Sequence, residues 1–491
     1  MDKLSLIREF ERLLGPHSVL HTDEALSLYE YDGSIERGRP DLVVLPRTTQ
    51  QVSAIVKIAV REKIPFQARG AGTGLSGGMV ADQGGIMIAM ARMKKIEIDA
   101  PNLRATVEPG VVNADLSVAA APYGLYFVPD PSSQKACTIG GNIAENSGGP
   151  HCLAYGVTTN HTLGLEVVLP DGEIVQTGGR LDAPGYDLTG ILVGSEGTLG
   201  IVTKAIVRLT PLAEAVRTLL AVFATVEGAS EAVSAVIAAG NVPAAMEMMD
   251  NTAIVAVEAA KHAGYPTEAG AVLLIDVEGV RDGLDEMVAQ IAEICRGLGA
   301  YEIRVPQTAQ ERDKLWSGRK GAFGAMGRLA PSFYVQDGVV PRTRVPELLR
   351  KIGEISQEFD LRIANVFHAG DGNLHPLILF DERDEALTQK AVAAGNLIIQ
   401  ECIRCGGSIS GEHGIGIEKR DLMKLQFTET DLQVMQRVKA VFNPDNLCNP
   451  CKVLPATKMC IEVSARRRKA YKKPLKVGAR ELEGMSGMPI P

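Results

Sequence analysis

Residues 69–78 read RGAGTGLSGG, five glycines and an alanine in ten positions opened by an arginine. What precedes the run decides its reading. DLVVLP (41–46) is a short apolar run closed by proline, and IPFQAR (64–69) is again strand-like. Between them, TTQQVSAIVKIAVREK (48–63) places Val52, Ile55, Val56, Ala59 and Val60 at helical spacing behind a Thr48/Gln51 capping-box pair. A β-α-β order thus delivers the chain at Arg69 to a segment too rich in glycine for regular structure, whose backbone N–H groups can converge on a phosphate with no Cβ in the way. Gly72, Gly74 and Gly77 form a G-x-G-x-x-G, with Glu97 and Asp99 roughly twenty residues on, the formal mark of a nicotinamide fold. Context argues against that reading. The fingerprint should open a helix, whereas Gly78, Gly84 and Gly85 occupy the would-be helix and GIMIAM (85–90) reads as a strand.

Two more glycine-rich loops follow, PDPSSQKACTIGGNIAENSGGPHCLAYG (129–156) and GSEGTLGIVT (194–203). Three such loops suggest one large anionic ligand gripped along its length. Together they resemble the FAD-binding domain of the vanillyl-alcohol-oxidase and p-cresol-methylhydroxylase superfamily, over roughly residues 38–215. The resemblance implies that Arg69, Gly70, Ala71, Gly72, Thr73, Gly74, Leu75, Ser76 and Gly77 wrap the pyrophosphate. It implies that Pro129, Thr138, Gly140, Gly141, Ser147, Gly148, Tyr155 and Gly156 line the flavin and its tail, and that Glu196, Gly197 and Ile201 complete the grip. Some members bind flavin covalently through histidine; here the first loop carries Thr73 and Gly74 and no histidine, so non-covalent FAD is expected, with His151 and His161 serving packing or turns.

From about residue 215 the pattern changes. Alanine-rich helical stretches such as EGASEAVSAVIAAG (227–240) alternate with the apolar strands AVLLIDVEG (271–279) and SFYVQDGVV (332–340), as expected of a helix-backed antiparallel sheet. LRIANVFHAGDGNLHPLILF (361–380) sets two apolar segments around GDGN, a hairpin signal that brings His368 and His375 to the feet of one turn. SGEHGIG (410–416) adds Glu412 and His413 in a glycine-framed loop. Three of the chain's eight histidines fall in these motifs; two imidazoles and a carboxylate suit a catalytic divalent metal with open positions, zinc or manganese for example, and leave His413 as a base.

H-x-G-D-G-N-L-H with G-E-H-G resembles the C-terminal domain of FAD-linked 2-hydroxy acid dehydrogenases: glycolate oxidase flavin subunits, D-lactate dehydrogenases and D-2-hydroxyglutarate dehydrogenases. The resemblance makes His368, His375 and Glu412 metal ligands, His413 the catalytic base and Arg319, in WSGRKGAF, the holder of the substrate carboxylate. The closing FNPDNLCNPCKVLP (442–455) resembles the family's return to the flavin, with Asn449 as a flavin contact and Cys451 where glycine is usual. The expected fold class is α+β, a two-subdomain FAD-binding domain of the vanillyl-alcohol-oxidase type plus a helix-backed antiparallel-sheet cap domain. Its expected bounds are a helical segment 1–37, FAD domain 38–215, cap 216–440, return segment 441–458 and basic tail 459–491.

Composition sets limits on function. Hydrophobic residues are 45% and charged ones 22%, ordinary globular values, and 51 basic against 59 acidic residues leave a net charge of -8, unsuited to coating nucleic acid. MDKLSLIREFERLLG reads as an amphipathic helix rather than a signal peptide, and no stretch is long and apolar enough to span a bilayer. Eight cysteines then fit free thiols in a reducing cytoplasm; the pairs Cys402/Cys405 and Cys448/Cys451 have metal-site spacing but read as buried small hydrophobes. Eight of the fifteen residues 466–480 are Lys or Arg, a run suited to an acidic partner or the inner membrane face. The expected activity is oxidation of a short 2-hydroxy acid, glycolate or D-lactate, to the 2-oxo acid. The resemblance implies that electrons leave through an iron-sulfur subunit toward a quinone, with a second flavin-domain subunit in the complex. A non-catalytic assembly subunit and a D-2-hydroxyglutarate dehydrogenase are the alternatives.

Overall fold

The computed structural model describes residues 2–179 and 185–471. Apolar residues at helical spacing make α1 (Lys3–Leu14) amphipathic, and it buries Leu6, Ile7 and Phe10 while Asp2 caps its first turn. β1 (Val19–Leu20) then pairs antiparallel with β2 (Leu42–Val44). α2 (Thr49–Arg61) buries Val52, Ile55, Val56 and Ala59 and leads to β3 (Phe66–Arg69), which lies parallel to β4 (Ile86–Ala89) in a four-stranded sheet of order β1-β2-β4-β3. Residues 70–85 contain no helix, which is why the nicotinamide fingerprint does not apply. A second, antiparallel sheet follows, built from β5 (Ile96–Asp99) and β6 (Arg104–Val107), then, after α3 (Ile139–Glu145), β7 (Thr162–Val168), β8 (Ile174–Gly178) and β9 (Ile201–Arg208), in the order β5-β6-β9-β7-β8.

The cap is one antiparallel sheet covered on both faces. β10 (Ala215–Phe223), α4 (Val226–Ala238), β11 (Ala245–Asp250), α5 (Asn251–Lys261), β12 (Ala271–Gly279), α6 (Leu284–Gly297), β13 (Ala300–Arg304) and α7 (Ala309–Lys320) come first. β14 (Ser332–Val335), β15 (Gly338–Val339), α8 (Val345–Glu358), β16 (Arg362–His368), β17 (Asn373–Leu374), β18 (Pro376–Phe380) and α9 (Glu385–Arg404) complete it. The strand order is β13-β10-β12-β11-β16-β17-β15, with β18 joining β16 to β14. Side chains of a strand alternate between faces, so Leu219, Ala221 and Phe223 pack toward α4, α6, α8 and α9 while Leu220 and Val222 pack toward α5 and α7. Burial on both sides explains the unbroken apolar run of β12.

The chain then returns through α10 (Glu429–Phe442) to the edge of β3, where Phe66 N–H donates to the Leu447 carbonyl at 2.9 Å and Asn449 N–H to that of Phe66 at 2.7 Å. α11 (Lys458–Tyr471) follows. The expectation of free thiols throughout needs correction, because Cys451 is bonded to Cys460, which ties the return segment to α11. Cys402 and Cys405 are buried in the cap core and Cys448 in that of the first sheet, as small hydrophobes. Among the described residues no helix is long and apolar enough to cross a membrane. Most of the basic tail, residues 472–491, lies outside the described residues.

Candidate active site

One cavity of about 360 Å³ is walled by the three glycine-rich loops together with the cap. Arg69, Gly70, Ala71, Gly72, Thr73, Gly74, Leu75, Thr138, Gly140, Gly141, Ser147, Glu196, Gly197, Ile201 and Asn449 line it, and so do His375, Glu412 and His413. The loops interlock through absent side chains. A Cβ on Gly70 would collide with Thr138 Oγ1, the hydroxyl that caps α3, and one on Gly72, at φ +76°, would strike the Arg69 guanidinium folded beneath the loop. That guanidinium donates to the Tyr31 carbonyl at 2.9 Å and lies 5.3 Å from the Tyr29 ring centroid.

Ser76, Gly77, Pro129, Gly148, Tyr155 and Gly156 do not line the cavity. The Ser76 and Pro129 carbonyls are taken by Ile417 N–H and by the Asn113 amide, and Tyr155 donates its hydroxyl to Glu278 of β12 across the domain junction. Gly148 lies against Glu412, leaving no room for a Cβ. Of the two remaining loop histidines, His151 pairs with Asp130 at 3.0 Å and His161 contacts the Tyr155 carbonyl at 3.1 Å.

His368, His375 and Glu412 converge. In β16 His368 stands opposite Asn373 of β17, so the hairpin forms and the two histidine rings lie 5.1 Å apart, nearly perpendicular. Both Nε2 atoms are 3.1 Å from Glu412 Oε1, and the three ligand atoms lie within 4.8 Å of one another. The outer nitrogens are held from behind. His368 Nδ1 is 2.7 Å from Glu247 Oε1, directly across the β11–β16 pair, and His375 Nδ1 is 3.4 Å from the Gln336 carbonyl. Such partners fix each ring so that Nε2 faces Glu412, the orientation that outer partners give to metal-binding histidines. Burial works against charge on His368, yet Glu247 and Glu412 outweigh it and hold this imidazole well above its ordinary pKa. Glu247 has its cation in Arg319, whereas the part-buried Glu412 has only the two imidazoles on its Oε1, and two imidazoles with one carboxylate are a donor set that a divalent ion fits.

His413 stacks on His375 with centroids 4.7 Å apart and planes 8° from parallel. Burial, with help from His375 and Lys419, pushes it down to about 4, so the ring is neutral at neutral pH and free to accept a proton. Its loop is pinned by Asp337, fully buried, which accepts the N–H groups of Gly411 at 3.0 Å, Glu412 at 3.2 Å and His413 at 2.9 Å and pairs with Lys419 at 3.1 Å.

Arg319 is not among the cavity-lining residues. It is 3% exposed and forms an ion pair with the fully buried Glu247, the same carboxylate that holds His368. Its neighbour Lys320 lines the cavity beside Phe323. Sequence reasoning missed Glu247, Asp337 and Glu145, the last of which also faces the cavity, and left open which of Lys320, Arg328 and Arg342 would enter it. A signal existed for Glu247, a lone carboxylate inside the apolar strand AMEMMD, since a buried charge needs a partner.

Comparison with known proteins follows the same division. A family model described as FAD binding domain matches residues 40–178, and one described as FAD linked oxidases, C-terminal domain, matches residues 212–453. The chain is 46% identical over 468 residues to the glycolate oxidase subunit GlcD of Escherichia coli strain K12, covering 95% of this chain and 94% of that one. It is 40% identical to the protein of that name in Bacillus subtilis strain 168, over 89% of this chain and 94% of that one. It is 33% identical to a D-lactate dehydrogenase of Anaerostipes hadrus, over 91% of this chain and 97% of that one. In fold it matches p-cresol methylhydroxylase with a TM-score of 0.79 at 18% identity, over 92% of this chain and 97% of the other.

Proposed function

The chain belongs to the FAD-linked oxidases of the vanillyl-alcohol-oxidase type, and from that premise we propose that it oxidises a short 2-hydroxy acid, glycolate or D-lactate, to the 2-oxo acid with non-covalent FAD and a divalent metal. The observation that carries the reading is that His375, Glu412 and the neutral His413 line the same cavity as the three glycine-rich loops. His368, His375 and Glu412 would hold the ion, which would supply a Lewis acid that lowers the pKa of the substrate hydroxyl. His413 would take the hydroxyl proton, and bound FAD would supply a hydride acceptor.

Lys320 is the cation on the wall that suits the substrate carboxylate, and Arg319 acts one step back by fixing Glu247 behind His368. A dicarboxylate calls for a second cation. Among the described residues Arg69 is the only other lysine or arginine lining the cavity, and it is folded beneath the first loop, while Arg342 donates to the Gly370 carbonyl at 2.9 Å. This favours a monocarboxylate. An assembly subunit has no use for a buried base beside a complete ligand set. The names of the GlcD relatives as subunits support a complex with further subunits; that these include an iron-sulfur subunit leading to quinone and a second flavin-domain subunit rests on the family resemblance of the motifs. The test is an anaerobic titration of the yellow protein with glycolate, D-lactate, L-lactate and D-2-hydroxyglutarate. Bleaching by a short acid, abolished by chelation and restored by metal, is the expected result; yellow protein that no hydroxy acid bleaches, with metal and partner subunits supplied, refutes it.

A further inference from the structure

Two carboxyl side chains from different segments converge on the same stretch of the cavity wall. Glu145 ends α3, Glu196 sits in the third glycine-rich loop, and both line the cavity. They crowd the same two glycines. A Cβ on Gly78 would come within 2.6 Å of Glu145 Oε1 and 3.3 Å of Glu196 Oε2; one on Gly414 would collide with Glu145 Oε2 and come within 2.9 Å of Glu196 Oε1. Glu196 is 4% exposed and Glu145 part-buried, so two charges placed there repel more than in open water, and like carboxyls in one site resolve the conflict by keeping one proton between them.

The hydrogen bonds decide which one carries it. Glu196 accepts the N–H groups of Ile415 at 2.6 Å and Gly416 at 2.7 Å, donors that favour its ionised form. Glu145 Oε2 is buried with no hydrogen-bond partner. Burial first, then the charges of Glu196 and Asp32, push Glu145 well above the ordinary carboxyl range, with Lys419 acting weakly the other way. Asp32 faces Glu145 across Gly74, Arg69 interacts with Asp32, and Lys419 and Lys452 lie toward Glu196. One turn back on α3, Asn142 also lines the cavity; it is 1% exposed and neither of its amide atoms has a hydrogen-bond partner. That face of α3 therefore presents donors that protein groups leave unused, as the wall of a polar ligand's site does.

We propose that Glu145 and Glu196 form a proton-sharing carboxyl–carboxylate pair in which the neutral Glu145 faces the bound flavin and helps set how readily it accepts electrons. Glu145 is a positioning and electrostatic residue and transfers no proton to substrate. When it ionises, it adds a negative charge beside a ring system that itself becomes negative on reduction. The inference rests on reading the cavity as the flavin site.

The test is the midpoint potential of the protein-bound flavin, measured anaerobically by dye equilibration from pH 6 to pH 10 in the wild type, Glu145→Gln and Glu196→Gln. In the pH window where Glu145 is ionised in the oxidised protein and regains its proton on reduction, the wild-type reduction equilibrium constant should fall an extra tenfold per pH unit. That is about 30 mV per pH unit for a two-electron couple. Glu145→Gln should lack the extra slope, and Glu196→Gln should move the window to lower pH, which a merely structural role would not do. Parallel wild-type and Glu145→Gln profiles, or an unmoved window in Glu196→Gln, overturn the proposal while the protein stays yellow. Wild-type protein that takes up no FAD overturns the cavity reading and this inference with it.

Discussion

Glu247 offers the sharpest test of how the proposed metal ligands are held, because it serves two partners at once from a fully buried position. Replacing it with glutamine keeps the shape and removes the charge. Arg319, 3% exposed, then keeps its positive charge with no counter-ion. At roughly 3 Å and an effective dielectric near 20, the lost attraction is about 5 kcal/mol, in line with the loss of about 3–5 kcal/mol seen when one partner of a buried pair is removed. For a cap of this size that lowers the melting temperature by roughly 10 °C. The second consequence is separate. His368 Nδ1 loses the carboxylate 2.7 Å away that raises its basicity, which should weaken metal binding by about 10- to 100-fold. Adding Arg319→Met removes the stranded charge, so the double variant should regain most of the stability and none of the metal affinity. Denaturant titration gives the first quantity and competition with a chromophoric chelator the second. A single variant that loses less than about 1 kcal/mol, or a double variant that recovers metal affinity, refutes the argument.

Four further outcomes are expected. His413→Asn should keep its flavin and slow anaerobic bleaching by about 10²–10⁴-fold, the usual worth of a general base; unchanged bleaching removes His413 from that role. Lys320→Ala should raise KM about tenfold, the value of one lost charge-assisted contact of about 1.4 kcal/mol, with little change in kcat, and a fall in kcat alone would count against a carboxylate contact. Chelation should abolish bleaching and leave the yellow colour, with recovery on adding manganese or zinc. His151 is a stability switch: burial opposes its charge, but Asp130 at 3.0 Å outweighs it and raises the imidazole to about 9. A raised imidazole stabilises the fold fully below the ordinary value of about 6.5 and loses that contribution as pH climbs through the raised one, so His151→Gln should cost on the order of 3 kcal/mol at pH 6 and almost nothing at pH 10, by denaturant midpoints.

Much of this was legible in the residues, and what was not follows from what a sequence pattern can carry. The glycine runs, the GDGN turn and the alternating strands are local signals, and they led to the three loops and to the hairpin that brings His368 and His375 together. Glu247 and Asp337 are single carboxylates whose meaning lies in strand register and in backbone donors from a loop over 70 residues away, and no local period records either. Arg319 and Lys320 are adjacent, so motif spacing alone could not say which faces Glu247 and which faces the cavity. Cys451, where glycine is usual, is expected from the sequence to alter the turn, yet its backbone takes a positive φ of +62°, and its bond to Cys460 depends on the placement of α11, which no local pattern records.

The loop that bears Glu412 and His413 is held from both domains, and almost wholly through its backbone. Asp337 of the cap accepts the N–H groups of Gly411, Glu412 and His413, Glu196 of the third glycine-rich loop accepts those of Ile415 and Gly416, and the Ser76 carbonyl, in the first loop, accepts those of Ile417 and Glu418. Hydrogen bonds from backbone N–H to a buried carboxylate are charge-assisted and leave the loop's side chains free for chemistry. The glycines are what permit the approach. At Gly414 a Cβ would meet both glutamates, and at Gly416 it would strike the Ser76 carbonyl. His413 is therefore set against the cavity by the glycine-rich loops as well as by the cap, and a cap that shifted relative to the FAD domain would have to break contacts to Glu196 and Ser76 before His413 could move. That is preorganisation achieved by stitching one loop to two domains, and it makes the alignment of His413, Glu412 and the cavity a property of the domain junction.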